Sequence, residues 1–329
     1  MNDAIEPVVS VRGLTVRFKS QDAEVDAVNG VNFTLDPGEV MCILGESGSG
    51  KSVTMRALMR LLPKERTTIG GEIEVARRDI VKMSESDITD LRGPVVSMIF
   101  QEPMTAFDPV FTVGDQIVET IIRHEAVSRS AARARALELL ELVQIPSAKS
   151  RLDNYPFEMS GGMRQRAMIA LALACRPQLL LADEPTTALD ATVQIQILLL
   201  LRRLRDELGM SIIFVTHDIG VAVEIADKIA IMYAGRFVET GPVREVLART
   251  AHPYTHGLMA STVKRTNRGQ RLKAISGSPP DLASLPPGCA FAPRCSRAGS
   301  ACREKLPATS QISPLHETVC FHPLIETTA

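Results

Sequence analysis

The chain has 329 residues, enough for one large domain or two ordinary ones. Hydrophobic residues make up 45% of it, charged residues make up 23%, and the formal net charge is -1, a balance typical of globular proteins. The neutral charge and the lack of Trp argue against a nucleic-acid partner. We expect no signal peptide, and the apolar runs are shorter than the ~18 residues of a membrane span.

The first elements in chain order are two predicted antiparallel strands. Residues 8–18 and 25–35 alternate between polar and apolar types, and "DPGE" at 36–39 predicts a turn. The apolar strand "VMCIL" follows, then "GESGSGKS" at 45–52, then an amphipathic helix that stops at Pro63. A strand, a glycine loop and a helix in this order are the context in which G-x-x-x-x-G-K-[ST] binds phosphate, whereas an ordinary flexible turn needs no such context.

The glycine loop is predicted to bind a nucleoside triphosphate with Mg²⁺. Gly48 and Gly50 let successive backbone N–H groups turn inward toward phosphate oxygens, and the following helix adds its positive end. Lys51 supplies a full charge to the phosphates, and the Ser52 hydroxyl is a Mg²⁺ ligand. The candidate ATP-binding residues of this loop are Gly45, Glu46, Ser47, Gly48, Ser49, Gly50, Lys51, Ser52 and Val53.

Beyond the loop, the sequence alternates helices with buried strands. Residues 115–175 are mostly helical in pattern, "QLLLLADE" is a nearly all-apolar strand, and a long helix ends at Gly209 before the strand "SIIFVTH". This alternation predicts an α/β core with a parallel sheet. The helical block at about 102–178 interrupts the alternation and is predicted to be an inserted subdomain, and "KIAIMYAGRFVETG" is predicted to form a hairpin.

Four polar residues follow predicted strands and are candidates for catalysis. Asp183 and Glu184 follow a run of leucines at the end of a predicted buried strand. Burying two carboxylates there costs free energy, which favours a functional role for them. We expect Asp183 to bind Mg²⁺ and Glu184 to act as the general base toward water. Gln101 has an amide that can reach both metal and water, and His217 is a candidate γ-phosphate contact, although a lone histidine is more often structural.

The stretch "MSGGMRQR" is predicted to form a second anion-binding helix start. One nucleotide does not need two such sites, so the second is expected to serve a nucleotide held by another subunit. This predicts two cassettes that face each other with ATP between them. The residues assigned to it are Ser160, Gly161, Gly162, Met163, Arg164 and Gln165.

The last 41 residues hold four of the six cysteines. Cys289, Cys295, Cys302 and Cys320 match neither the spacing of zinc ribbons nor that of ferredoxins, so iron–sulfur, zinc, free thiols and disulfides all stay open on chemistry alone. His316 and His322 are further candidate ligands if the metal is zinc, and "AHPYTHGL" at 251–258 is expected to be a structural junction. Cys42 and Cys175 lie in apolar runs and are expected to be buried and inert.

These motifs, in this order, resemble the ATP-binding subunits of ABC transporters. The matching pieces between residues 8 and 245 are "GESGSGKS", "FQEP", "MSGGMRQR", "LLLLADEP", "TALD" and "FVTHD". Met159 stands where the family usually has Leu, a change that conserves volume. The resemblance implies that Phe18 stacks on adenine and that Asp190 belongs to the loop after the catalytic acids. It also implies a P-loop NTPase (RecA-like) core with an N-terminal antiparallel subdomain and an inserted helical subdomain.

A closer resemblance, to the dipeptide, oligopeptide and nickel importers, covers nearly the whole chain. It is carried by "MIFQEPMTAFDPV", "YPFEMSGGMRQR", "AHPYTHGLM" and "GCAFAPRC". It implies a cassette at 1–245, a C-terminal extension at 246–329 rich in Pro and Cys, and a [4Fe–4S] cluster on Cys289, Cys295, Cys302 and Cys320. "TAFDP" departs from the usual T-S-L-N-P in segment 102–120, where a permease is expected to dock.

The resemblance also implies an activity and partners. The chain is expected to hydrolyse ATP at the cytoplasmic face of the inner membrane and so energise import of peptides. The implied partners are a second, related ATPase subunit, two transmembrane permease subunits and an external substrate-binding protein. Peptide, nickel, glutathione, sugar and opine substrates all stay open.

Three other classes of ABC ATPase fit less well. DNA-repair members insert long coiled coils between the two halves of the motif set, and translation factors carry two cassettes, whereas this chain has one glycine loop and a short insertion. A non-hydrolysing regulatory subunit would lack Glu184 or His217, and both are present.

Overall fold

The protein is described here by a computed structural model. The described residues fall in four ranges: 6–20, 23–187, 189–261 and 274–325. Two compact units share the chain. The first unit is built mainly from Lys82–Ile213, and the second from Val9–Leu35, Glu39–Val81 and the chain from Phe214 onward.

The described elements are twelve strands and twelve α-helices, with a few short 3-10 turns. The strands are β1 (Val9–Lys19), β2 (Glu24–Leu35), β3 (Val40–Leu44), β4 (Thr67–Val75), β5 (Arg78–Asp79), β6 (Val96–Ile99), β7 (Leu179–Asp183), β8 (Ser211–Thr216), β9 (Lys228–Tyr233), β10 (Arg236–Pro242), β11 (Ser310–Ser313) and β12 (His316–Thr318). The helices are α1 (Lys51–Leu58), α2 (Glu85–Leu91), α3 (Pro103–Ala106), α4 (Val113–His124), α5 (Arg129–Leu142), α6 (Ala148–Arg151), α7 (Gly161–Ala172), α8 (Ala191–Leu208), α9 (Ile219–Ile225), α10 (Val243–Ala248), α11 (Pro253–Ser261) and α12 (Ser300–Glu304).

The second unit contains an antiparallel sheet of four strands in the order β2-β1-β4-β5. Val9 pairs with Leu35 at one end of the β1–β2 ladder. Val11, Leu14 and Val16 of β1 are buried while their neighbours are partly or fully exposed, which is the alternation expected of a sheet with one covered face. The predicted N-terminal antiparallel strands are therefore confirmed.

The same unit contains a second run of strands in the order β3-β9-β10-β12-β11. β3 is parallel to β9, and β9 and β10 form the predicted hairpin, whose turn places Ala234 and Gly235 at φ of 47° and 78°. Glu239 of β10 pairs with Thr318 of β12, so the end of the C-terminal extension adds two antiparallel strands here. The Pro-rich stretch before them forms only short 3-10 turns and α12.

The first unit contains the parallel pair β6 and β7 and most of the helices. All five residues of β7 are buried, as its continuous apolar sequence predicted. Within the helical block, α4 packs on α5, and both pack on α7. α8 ends at Gly209 with φ of 65°, a left-handed C-cap that glycine adopts at low cost and that the sequence predicted.

The predicted cassette boundary near residue 245 does not coincide with a boundary between the two compact units. The residues after 245 belong to the same unit as the glycine loop. The two-domain division therefore stays a prediction, and the shared unit brings the extension and the loop into contact.

Candidate functional site

The glycine loop begins where the buried strand β3 ends, and it leads into α1. Gly48 and Gly50 have φ of 77° and 107°, backbone conformations that other residues adopt only with strain. A Cβ on Gly50 would lie 2.5 Å from the carbonyl oxygen of Ala27, and one on Gly45 would lie 2.2 Å from that of Met232. Glycine is therefore required at both positions for the backbone to pack this closely.

The side chain of Lys51 bonds back to the backbone at the start of the glycine loop. Its Nζ donates to the carbonyl oxygens of Gly45 at 2.9 Å and Glu46 at 3.0 Å, and the residue is 5% exposed. The buried Oγ of Ser49 has no hydrogen-bond partner among the described residues, while Ser47 and Gly48 are exposed. The loop thus combines the ammonium group of Lys51, the Ser49 hydroxyl and the N-terminus of α1. These groups suit the binding of a triphosphate.

In the first unit, the structure brings three polar side chains together after β6 and β7. Asp183, the last residue of β7, is buried at 1% exposure. Glu184 follows it with φ of 45°, a left-handed conformation that costs a non-glycine residue about 1 kcal/mol and that clusters at functional sites. Gln101 Nε2 donates to Glu184 Oε2 at 3.5 Å, so the predicted pair of base and amide is adjacent.

Thr187 is a member of this cluster that sequence reasoning missed. Its Oγ1 donates to Glu184 Oε2 at 3.0 Å, a shorter bond than the one from Gln101. A hydroxyl three residues after an acid in "DEPTT" was the available signal. Two donors on one oxygen fix the orientation of the Glu184 carboxylate.

The predicted signature residues lie at the start of α7. Ser160 is the N-cap, with its Oγ accepting from the N–H of Met163 at 3.4 Å. Ser160 and Gly161 are exposed, and a Cβ on Gly161 would meet no atom within 4 Å in the part of the chain that the structure describes. Arg164 donates to the carbonyl oxygen of Met159 at 2.8 Å, and Gln165 is only 2% exposed. The helix tip is thus open to a ligand, whereas Gln165 lies in the interior.

The remaining predicted residues have separate positions. Asp190 caps α8, with its Oδ1 accepting from the N–H groups of Thr192 and Val193 at 3.0 Å each. His217 follows β8 and is exposed, and Phe18 is half-buried near the end of β1. Their assigned roles stay predictions.

Comparison with known proteins identifies the family. The pattern of the ABC transporter family matches residues 28–187, and that of the oligopeptide/dipeptide transporter C-terminal region matches residues 238–302. The chain is 48% identical over 322 residues to a probable peptide ABC transporter ATP-binding protein of Sinorhizobium fredii, covering 97% of this chain and 96% of that one. It is 49% identical over 320 residues to the oligopeptide transport ATP-binding protein OppD of Bacillus subtilis, covering 96% and 89%.

This chain belongs to the oligopeptide and dipeptide branch of ABC transporter ATP-binding proteins. Its fold matches a dimeric ATP-binding cassette in a post-hydrolysis state, bound to ADP and phosphate, with a TM-score of 0.65 and 30% identity over 72% of this chain and 99% of that one. The predicted family and P-loop ATPase fold are confirmed, and the chain is an ABC-type ATPase. None of the helices in the described ranges has both the length and the apolar character needed to cross a membrane.

The prediction of an iron–sulfur cluster or other metal in the C-terminal extension of this ABC ATPase is wrong. Among the residues that the structure describes, no group of three or more His, Cys, Asp or Glu side chains is able to hold a metal ion. Cys289, Cys295, Cys302 and Cys320 line one small cavity as free cysteines. Burial raises the pKa of the Cys320 thiol to about 11 and also raises the pKa of Cys289.

His316 and the backbone of His252 make structural contacts with β10. His316 Nε2 lies 2.8 Å from Glu239 Oε1, and the same carboxylate accepts from the N–H groups of Ala251 and His252 at 2.7 and 2.9 Å. Glu239 is 1% exposed, so these donors satisfy a buried charge. The segment "AHPYTHGL" is thereby fixed to β10, in agreement with its predicted role as a junction.

Proposed function

We propose that this ABC ATPase energises the import of peptides through a membrane permease. The observation that carries the proposal is that relatives named for peptide and oligopeptide transport match 96–97% of the chain, extension included, at 48–49% identity. A dipeptide transport ATP-binding protein, DppD of Bacillus subtilis, is also 45% identical over 318 residues. We place the protein at the cytoplasmic face of the membrane, paired with a second, related ATPase subunit.

The residues of the glycine loop and the first unit supply the proposed chemistry. Bound ATP would supply the phosphoanhydride bond, and the proposed Mg²⁺ ligands are Ser52 in the second unit and Gln101 and Asp183 in the first. Lys51 and the loop N–H groups bind the phosphates, and Glu184 takes a proton from the attacking water at its carboxylate. The bonds from Gln101 and Thr187 to Glu184 support this role because they hold the carboxylate in one orientation. His217 is proposed to contact the γ-phosphate.

The exposed tip of α7 supports a dimer in which each subunit completes the other's site. Ser160 and Gly161 are accessible, and the N–H groups of the first turn of a helix favour an anion. We propose that this tip binds a nucleotide held by the glycine loop of the partner subunit. The bulky side chains of segment 102–120 include Val110 and Phe111, 68% and 51% exposed, which suit contact with a permease.

Uptake in cells tests the proposed substrate class. Cells that lack the chain are complemented with the parent protein, with Lys51→Ala, or with Glu138→Gln, an exposed control on α5. We expect the parent and the control to restore uptake of labelled dipeptides and oligopeptides, and Lys51→Ala to restore none, because the loop loses its cation. Restoration of nickel uptake without any effect on peptides would contradict the assignment.

A further inference from the structure

The C-terminal extension makes hydrogen bonds to Glu46 of the phosphate-binding loop. The Glu46 carboxylate accepts two bonds from the guanidinium of Arg294, from Nη1 at 2.6 Å and from Nη2 at 3.0 Å. The Arg294 side chain is 5% exposed and that of Glu46 is 26% exposed. This bidentate ion pair is largely shielded from water, and it fixes both the orientation and the position of the Glu46 carboxylate relative to the guanidinium.

A second group from the extension holds the backbone of the same loop residue. The N–H of Glu46 donates to the hydroxyl oxygen of Tyr254 at 2.9 Å. Tyr254 is fully buried on α11, and its ring lies 4.5 Å from Tyr233 and 5.3 Å from Phe291, measured between centroids. Side chain and backbone of Glu46 are therefore both held by residues that follow the cassette in sequence.

Arg294 is itself held in place. Its Nε donates to the carbonyl oxygen of Ser276 at 3.0 Å, and its Nη1 also donates to the Tyr233 hydroxyl at 3.3 Å. Its guanidinium carbon lies about 6 Å above the ring centroids of Tyr233 and Phe291, within range of a cation–π attraction. These contacts pre-organise the guanidinium for Glu46 and make it a rigid support rather than a mobile surface charge.

Glu46 links Arg294 to the lysine of the glycine loop, because Glu46 bonds to both residues. The carbonyl oxygen of Glu46 accepts a hydrogen bond from Lys51 Nζ at 3.0 Å. The orientation of the Glu46 peptide thus sets part of the environment of the cation that is to meet the phosphates. Rotation of that peptide would move an acceptor away from Lys51 and disturb the loop N–H groups beside it.

We propose that Arg294 and Tyr254 are positioning residues for ATP binding, which the C-terminal extension supplies to hold the phosphate loop in its binding conformation. The proposal rests on the proposed ATPase function and adds a role for the extension. Arg294 acts through Glu46 and Lys51 rather than by touching nucleotide. Loss of either support lets the loop sample other conformations, which weakens ATP binding more than it slows the chemical step.

The test uses the full chain for ATP binding and the full chain with its partner subunit for turnover. ATP affinity is measured by calorimetry in EDTA, and KM and kcat are measured with Mg²⁺, for the parent, Arg294→Ala, Arg294→Lys, Tyr254→Phe and the exposed control Arg303→Ala. We expect Arg294→Ala to weaken ATP binding and raise KM about tenfold with a smaller change in kcat, and Tyr254→Phe to act in the same direction. Arg294→Lys keeps the charge but loses the paired bonds, so its affinity should fall in between.

A charge exchange distinguishes positioning from general stability. The double variant Glu46→Arg with Arg294→Glu restores the pair, and we expect it to bind ATP more tightly than either single variant. If Arg294→Ala does not fold, Tyr254→Phe and Glu46→Gln, which keep the packing, decide the question. Parental ATP affinity and KM in folded Arg294→Ala, or in both of these milder variants, would overturn the proposal. A parent chain that shows no ATPase activity when assembled with its partner subunit would instead reject the proposed function.

Discussion

At the scale of single residues, Glu239 shows how one buried carboxylate orders the start of the extension. It accepts from two successive backbone N–H groups and contacts His316, so the chain after α10 is fixed to β10. The adjacent His252 uses its Nδ1 to accept from the N–H of Tyr254 at 3.0 Å. That bond requires an unprotonated Nδ1, and it places the tyrosine whose hydroxyl meets Glu46.

His252 predicts a loss of stability in acid. Burial lowers the pKa of its imidazole to about 4, although the charge of Glu239 opposes the shift. The unfolded chain takes up the proton near pH 6.5, so it binds more protons than the folded chain between about pH 6.5 and 4. The stability present at neutral pH is therefore lost as the pH falls through that window, by about 2 kcal/mol between pH 7 and pH 5.

Urea unfolding of His252→Asn at pH 7 and pH 5 checks this. Asn keeps an acceptor for the Tyr254 N–H but does not titrate, so we expect the variant to lose about 2 kcal/mol less than the parent over this interval. His256→Asn, an exposed change on α11, serves as the control and should behave like the parent. An unchanged pH dependence in His252→Asn would show that its imidazole is not the responsible group.

The residue scale also marks the limit of sequence reasoning. Lys51, Asp183 and Glu184 were predictable because each lies in a short motif at the end of an apolar strand. The contact of Arg294 with Glu46 joins residues 248 positions apart, and no spacing rule links them. The prediction of a four-cysteine metal site was wrong for a related reason, since crowding along the chain does not determine whether the described side chains are arranged as metal ligands.

At the scale of elements, strand ends and helix starts supply the candidate groups. β6 and β7 are parallel, so their carboxyl ends meet at one edge, and this alone brings Gln101 near Glu184. The apolar run of β7 predicted that placement. The side chains that orient Glu184 depend on the turn after the strand, which is why Thr187 was not anticipated.

The start of α7 gives a prediction of its own. An extra methyl group on Gly161 would meet no atom of the described residues within 4 Å, so Gly161→Ala should change the thermal midpoint of the isolated chain very little. If the tip of α7 binds the partner's nucleotide, that methyl group obstructs the closed dimer. We expect ATP hydrolysis by the assembled pair to fall at least about tenfold.

Matched measurements make the Gly161 result specific. Ser300→Ala, at the exposed first position of α12, should leave both stability and hydrolysis unchanged. Parental hydrolysis by folded Gly161→Ala would argue that the tip of α7 does not approach a nucleotide. A large fall in its thermal midpoint would instead contradict the open surroundings of Gly161.

At the scale of the whole molecule, the two units carry different parts of the proposed reaction. The second unit holds the glycine loop, His217 and the extension, and the first holds the acids, Gln101 and the α7 tip. Family membership was predictable because the motifs occur in order along the chain. The contact between the loop and the extension could be found only from the fold, because residues far apart in sequence belong to one compact unit.

The central claim, that this chain hydrolyses ATP with Glu184 as the base, is tested most directly by Glu184→Gln. The amide keeps the size of the side chain and removes the proton acceptor, so we expect ATP binding to persist while hydrolysis falls at least about a hundredfold. ATP binding and phosphate release are measured on the full chain and its partner subunit beside the Glu138→Gln control, with size-exclusion chromatography to detect a dimer trapped by ATP. Hydrolysis by Glu184→Gln at the parental rate would contradict the assignment.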